Sequence, residues 1–269
     1  MKRLIDTAAR GGGHLLALCQ CFEDLFKPVL SGQAAHLGFT LAEVLVTLGI
    51  IGVVSAMTVP SLMQNHQRKT YVTQLHKVYN EVQQASLQYM TDKNAINLRE
   101  AGLTSRSAML EFLTKYFKVV QQCEEGNVRT PCFAPSYKSI DGTDIGDVGS
   151  WGSAACITLA SGAAIMIDYP SLYSSTVDGI KSYYGHILID INGAQGPNIA
   201  GRDLFYTNFY DDGSIDEENA TPECKKTGVC NGTSLTDIRE ELFNSKCKSS
   251  QYGEGCFGKI LNDGWEMTY

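Results

Sequence analysis

A chain of 269 residues, 43% of them hydrophobic, is long enough to bury a core of its own, which excludes a peptide or a small staple-dependent module. The formal charge is -7 and no Lys/Arg-rich run occurs, so the electrostatic footprint of a nucleic-acid binder is missing and no nucleic-acid partner is expected. Nine cysteines, with no CxxC pair and only five histidines, argue against a zinc site and for disulfides in an oxidising compartment.

Taken in chain order, the sequence offers one membrane-grade stretch, from Phe39 to Met63. Leu41, Val44, Leu45, Val46, Leu48, Ile50, Ile51, Val53, Val54, Met57 and Val59 leave no polar face along it. At about 1.5 Å per residue, this length crosses a bilayer core of roughly 30 Å. A secretory signal would have a shorter apolar part with its small-residue cleavage site after it. Leu16-Ala17-Leu18-Cys19 is not read as a lipoprotein site, because Leu18 is too large for the position before the cysteine. Glu43 is a lone carboxylate in the apolar run, where it costs a few kcal/mol unless something pairs with it. Pro60 removes one i to i-4 hydrogen bond and predicts a kink.

The run Gly38-Phe39-Thr40-Leu41-Ala42-Glu43, followed by Val44-Leu45-Val46 and by Pro60, resembles the prepilin peptidase site of type IV pilins and type II secretion pseudopilins. The resemblance extends from Gly38 to about Ala85. It implies cleavage between Gly38 and Phe39, N-methylation of Phe39, and removal of residues 1–38 as a leader. That leader departs from the family's short basic ones in carrying Glu23 and Asp24, with only Lys27 near the cut.

Residues 39–63 would then be a transmembrane and assembly helix, and 64–269 a periplasmic pilin-like globular domain. The implied place is the bacterial inner membrane, crossed once, with assembly into a periplasmic or surface filament. The implied partners are the prepilin peptidase/methyltransferase, other pilin or pseudopilin subunits, and the inner membrane. In the filament, Glu43 of one subunit would meet the cationic amine of a neighbour's Phe39, so that two groups costly in hydrocarbon neutralise each other. The expected function is a structural subunit, pseudopilin or minor pilin, without catalysis. An adhesin-like, ligand-binding minor pilin is the alternative, and a membrane-anchored hydrolase comes third.

Past Pro60, the residues Tyr71, Leu75, Val78, Val82, Ala85 and Tyr89 recur at spacings of four and three, a single apolar stripe on a continuing helix. A second helix is expected over Ser105 to Val120, and Cys123 to Ser153 reads as loop. Strands are expected at Cys156 to Leu159 and Ala163 to Ile167, joined as a hairpin through Ser161-Gly162, then at His186 to Ile191 and at Leu204 to Tyr210 before Asp211-Asp212-Gly213-Ser214. The class is α+β: a long N-terminal helix, its first half membrane-spanning, packed on a small antiparallel sheet, with a Cys-rich, loop-dominated region from Thr221 to Tyr269.

The disulfide candidates are Cys123, Cys132, Cys156, Cys224, Cys230, Cys247 and Cys256. Cys123 with Cys132 and Cys224 with Cys230 could close short local loops, but spacing fixes no connectivity, and an odd number leaves one over. Asp190-Ile191-Asn192-Gly193, continuing to Gly201-Arg202-Asp203, places short oxygen-bearing side chains among glycines. This suits a hard cation, and the resemblance to pseudopilins suggests calcium held by Asp190, Asn192 and Asp203. The other reading is a turn whose Asn and Asp side chains bond their own backbone. Asp141, Asp144 and Asp147 read as a solvated loop. No GxSxG, HExxH or P-loop occurs, and His66 and His76 are assigned to the polar face of the helix.

Overall fold

The computed structural model describes residues 39–123, 131–149 and 151–269. The proposed leader, Gly38 included, lies outside the described residues. The first long element, helix α1, is Leu41–Lys93, and it runs through Pro60 without a break. The chain divides into two compact units after Ala56, the residue whose carbonyl Pro60 cannot bond.

The first unit is described from residue 39, and its helical part is exposed along its whole length. The apolar surface goes on through Met57, Val59, Leu62 and Met63. Among the described residues, α1 is the one helix long and apolar enough to cross a membrane. A helix that is hydrophobic all round and uncovered among the described residues is suited to an apolar surrounding.

In the second unit, α1 buries the stripe Val72, Leu75, Val78, Val82, Ala85 and Tyr89. These meet one face of a seven-stranded antiparallel sheet with strand order β1-β4-β5-β7-β8-β9, the seventh strand, β6, pairing with β7 off this path. The strands are β1 (Val119–Gln122), β4 (Ala155–Leu159), β5 (Ala164–Ile167), β6 (Tyr173–Val177), β7 (Ile180–Asp190), β8 (Leu204–Tyr210) and β9 (Ile215–Asp216). The short hairpin β2 (Tyr137–Lys138) and β3 (Asp144–Gly146) stands apart from them. Strand periodicity sends Ile157, Ile165, Ile167, Ile187, Ile189, Phe205 and Phe209 to the helix side. Cys156, Ala164, Met166, Leu188 and Leu204 go to the other side, where Phe133, Tyr137 and Val148 cover them. Burial of each large apolar side chain contributes roughly 1.5–3 kcal/mol.

The expected helix at Ser105 to Val120 is shorter. Helix α2 is Arg106–Tyr116, capped by Ser105, and Phe117 turns extended. The β-branched pair Val119-Val120 then joins the sheet as the edge strand β1, leaving Val120 exposed rather than on a helix face. The expected hairpin at Ser161-Gly162 joins β4 to β5. The strand expected at His186 starts earlier, because Asp178-Gly179, with φ of +52° and +75°, makes a tight turn from β6 into β7. β5 and β6 therefore pair with successive halves of the same edge of β7, while β8 lies along the other.

The region from Thr221 is helical where loop was expected. It holds α3 (Pro222–Thr227), the hairpin β10 (Val229–Cys230) and β11 (Thr233–Ser234), α4 (Leu235–Leu242), a π turn over Phe243–Cys247 and α5 (Cys256–Asn262). Thr221 and Ser234 cap α3 and α4 with their side chains. These helices are too short to show a clear apolar period. Arg239 of α4 forks onto Asp216 of β9, which also meets Lys225 at 3.3 Å. After α5, bonds from Trp265 N to Ile260 O and from Gly264 N to Leu261 O close a Schellman turn.

Candidate functional site

At the start of α1, Thr40 and Glu43 form a capping box. The Thr40 hydroxyl accepts from Glu43 N at 3.2 Å, and Glu43 Oε2 accepts from Thr40 N at 2.9 Å and from Thr40 Oγ1 at 2.8 Å. Thr40 O accepts the first helical bond, from Val44 N. Phe39 immediately precedes the cap and is exposed, as are the first residues of the helix. The carboxylate singled out in the sequence is thus engaged within its own chain, one turn from the proposed new amino terminus.

The Asp190, Asn192 and Asp203 segment links β7 to β8, with Asp190 and Leu204 paired across the two strands. Asp190 and Asp203 are fully buried. Asp190 accepts from the Tyr137 hydroxyl at 2.5 Å and from Asn192 N at 3.2 Å. Asp203 accepts from Asn198 N at 2.7 Å and Ile199 N at 2.6 Å, while Asn192 Nδ2 donates to Gly196 O at 3.0 Å. These bonds are what a turn stapled by its own Asn and Asp side chains requires. The donors do not exhaust the acceptors, because the Oδ1 atoms of Asn192 and Asn198 are buried without a hydrogen-bond partner among the described residues. Burial pushes Asp190 well above the usual carboxylate range and raises Asp203; the neighbouring Asp203 charge adds to the effect on Asp190. An oxygen-rich loop with orphaned amide oxygens fits a hard cation chemically.

A third cluster went unseen in the sequence. On the sheet face away from α1, His186 of β7 lies 4.5 Å from Tyr173, 5.8 Å from Tyr184 and 5.2 Å from Tyr206, ring centre to ring centre. Trp151 and Tyr252 extend the array, with Trp151 edge-on to Tyr206 at 5.8 Å and Tyr252 stacked on Tyr206 at 5.6 Å. The strands pack tightly here: a Cβ on Gly185 would lie 2.7 Å from the carbonyls of Asp168 and Tyr169. Beneath the rings, the buried Asp168 accepts from Ser153 Oγ at 2.6 Å and stands 3.8 Å from His186 Nδ1, beyond hydrogen-bonding distance. Burial raises Asp168 and lowers His186, so both shift toward their neutral forms. Alternation along β7 and β8 places Tyr184, His186 and Tyr206 on one face, but the whole cluster is spread over about a hundred residues, from Trp151 to Tyr252.

Among the described residues, the cysteines form three disulfides: Cys123 with Cys132, Cys224 with Cys230, and Cys247 with Cys256. Cys156 lies outside them, buried, its sulfur within 4.8 Å of those of Cys123 and Cys132. Asp141, Asp144 and Asp147 each close a local turn, accepting from Thr143 N, Gly146 N and Gly149 N at 2.8–2.9 Å. His76 is not on a polar face: its ring stacks on Trp265 at 3.9 Å. Comparison with protein-family profiles, with curated proteins and with solved structures returns no match.

Proposed function

We propose that the chain is a structural subunit of a type IV pilin-like or type II secretion pseudopilin filament, cut between Gly38 and Phe39 by prepilin peptidase and N-methylated at Phe39. The observation that carries this reading is a capped helix, exposed from Leu41 to Met63 among the described residues, that continues into the stripe buried beneath the sheet. The capping box supplies the geometry for assembly. It holds the Glu43 carboxylate at the first turn of the helix, where the free amine of a neighbouring subunit's Phe39 would neutralise it. The helix is inserted in the inner membrane before assembly, and the disulfide-bonded part stands in the periplasm. Expression with and without an active prepilin peptidase tests the reading. The membrane-extracted chain gains the mass of residues 1–38 when the peptidase is absent, and an unchanged mass refutes it.

The aromatic face around His186 favours a second role, a minor subunit that also binds a ligand outside the membrane, because half-exposed rings grouped on a rigid sheet are suited to stacking. In this account Asp190, Asn192 and Asp203 hold calcium as a clamp on the β7–β8 loop, a role supported by the orphaned amide oxygens.

A further inference from the structure

A groove of about 570 Å³ opens just past the apolar stretch of α1. Asn65, Arg68, Lys69 and Thr73 of the helix line one side, and Trp265 and Glu266 of the C-terminal segment line the other. Neither Arg68 nor Lys69 forms an ion pair with another described residue. The Trp265 wall is fixed. Its ring is stacked on His76 at 3.9 Å and edge-on to Tyr79 at 5.0 Å, and its backbone is held at a φ of +66°, a conformation a bulky residue adopts only under constraint.

The depth of the groove follows from helix geometry. Arg68 is five residues beyond Met63, about 7.5 Å along the axis at 1.5 Å per residue. The polar layer outside the hydrocarbon core is roughly 5–8 Å thick on each side, so a helix that spans with its apolar run sets the Arg68 end of this groove among the lipid headgroups. Cations at that level meet phosphate. Two cations against the single carboxylate of Glu266 leave one positive charge, which suits a phosphodiester better than a multiply charged phosphate.

We infer that the groove between Arg68, Lys69 and Trp265 binds the headgroup of an anionic phospholipid of the phosphatidylglycerol kind, in the leaflet on the side of the folded domain. The two cations engage the phosphate, and Thr73, about 6 Å further along the helix from Lys69, offers a hydrogen bond to the glycerol hydroxyls. This inference rests on the membrane-spanning part of the proposed function.

The full chain carrying Trp151→Phe has Trp265 as its only tryptophan. Reconstituted into phosphatidylcholine vesicles with a trace of headgroup-proximal nitroxide lipid, it is expected to be quenched more by labelled phosphatidylglycerol than by labelled phosphatidylcholine. Local enrichment should be about five-fold per cation, from ~1 kcal/mol each near an anionic lipid. Arg68→Gln with Lys69→Gln should abolish the difference. Equal quenching by both lipids in the chain with Arg68 and Lys69 intact, or a preference that survives the double substitution, overturns the inference. Alkaline washing of the same vesicles separates the two failures, because release of the chain into the aqueous fraction refutes the span itself, whereas retention with equal quenching refutes only the headgroup site.

Discussion

Glu43 Oε2 accepts hydrogen bonds from both the backbone N–H and the hydroxyl of Thr40, at 2.9 and 2.8 Å, so within a single chain this carboxylate closes the first turn of α1. Two roles therefore meet in one residue. A cap needs an acceptor, which Gln also supplies, whereas pairing with a neighbour's amine needs the charge.

Substitution separates them. Glu43→Gln preserves the cap and should leave cleavage and membrane insertion intact, yet abolish entry into filaments. Glu43→Ala loses the cap as well, costing about 1 kcal/mol at the helix start, and should be equally excluded. The readout is the amount of each variant in sheared filaments relative to the membrane pool. If Glu43→Gln incorporates normally, the carboxylate serves only as a cap.

The β7–β8 loop makes a second prediction. Calcium should raise the thermal midpoint of the folded part, and chelator should lower it, because a ligand selective for the folded state stabilises it. The effect should grow with pH, since Asp190 and Asp203 are both raised by burial and must lose protons to ligate. Asp203→Asn should remove the calcium response and destabilise by about 1–3 kcal/mol through its weakened bonds to Asn198 N and Ile199 N. An unsubstituted chain that gives the same midpoint with calcium and with chelator would leave the self-stapled turn as the whole role of the loop.

Glu217 sets a pH dependence at the junction of the sheet with the C-terminal helices. It is buried beneath α5, accepts from Gly258 N at 2.7 Å and Gly255 N at 3.3 Å, and burial pushes it up to about 8 from an ordinary value of 4.5. Between those two values the folded chain holds a proton that the unfolded chain has released, so stability is full below about pH 4.5 and declines as pH rises toward 8. The loss amounts to a few kcal/mol at about 1.4 kcal/mol per unit. Denaturant unfolding from pH 5 to pH 9 should show this decline, and Glu217→Gln should flatten it. A slope unchanged by the substitution would assign the dependence to other groups.

Much of this architecture was legible in the sequence, for identifiable reasons. The stripe from Tyr71 to Tyr89 is long and periodic, and the turn at Ser161-Gly162 stands between two unmistakably apolar runs. The pairings Cys123–Cys132 and Cys224–Cys230 are close enough in sequence to be anticipated as loop closures. Asp178-Gly179 carried a hairpin signal that went unread, because the flanking Tyr173–Val177 is polar and half exposed and lacks the look of a core strand.

The C-terminal helices were hidden for another reason. Their stability comes from the Thr221 and Ser234 caps, two disulfides and the Arg239–Asp216 pair rather than from a long apolar face. The aromatic site could not be found by spacing at all, since Tyr173, His186 and Tyr206 meet only once β6, β7 and β8 are in register, and Trp151 and Tyr252 reach them from loops.

The central claim concerns the junction at which α1 begins, and the amino terminus of the membrane-extracted protein tests it most directly. Mass spectrometry of the N-terminal peptide should find N-methylated Phe39 as the first residue, followed by Thr40-Leu41-Ala42-Glu43. A peptide that retains Gly38, or a terminus at any other residue, would contradict it.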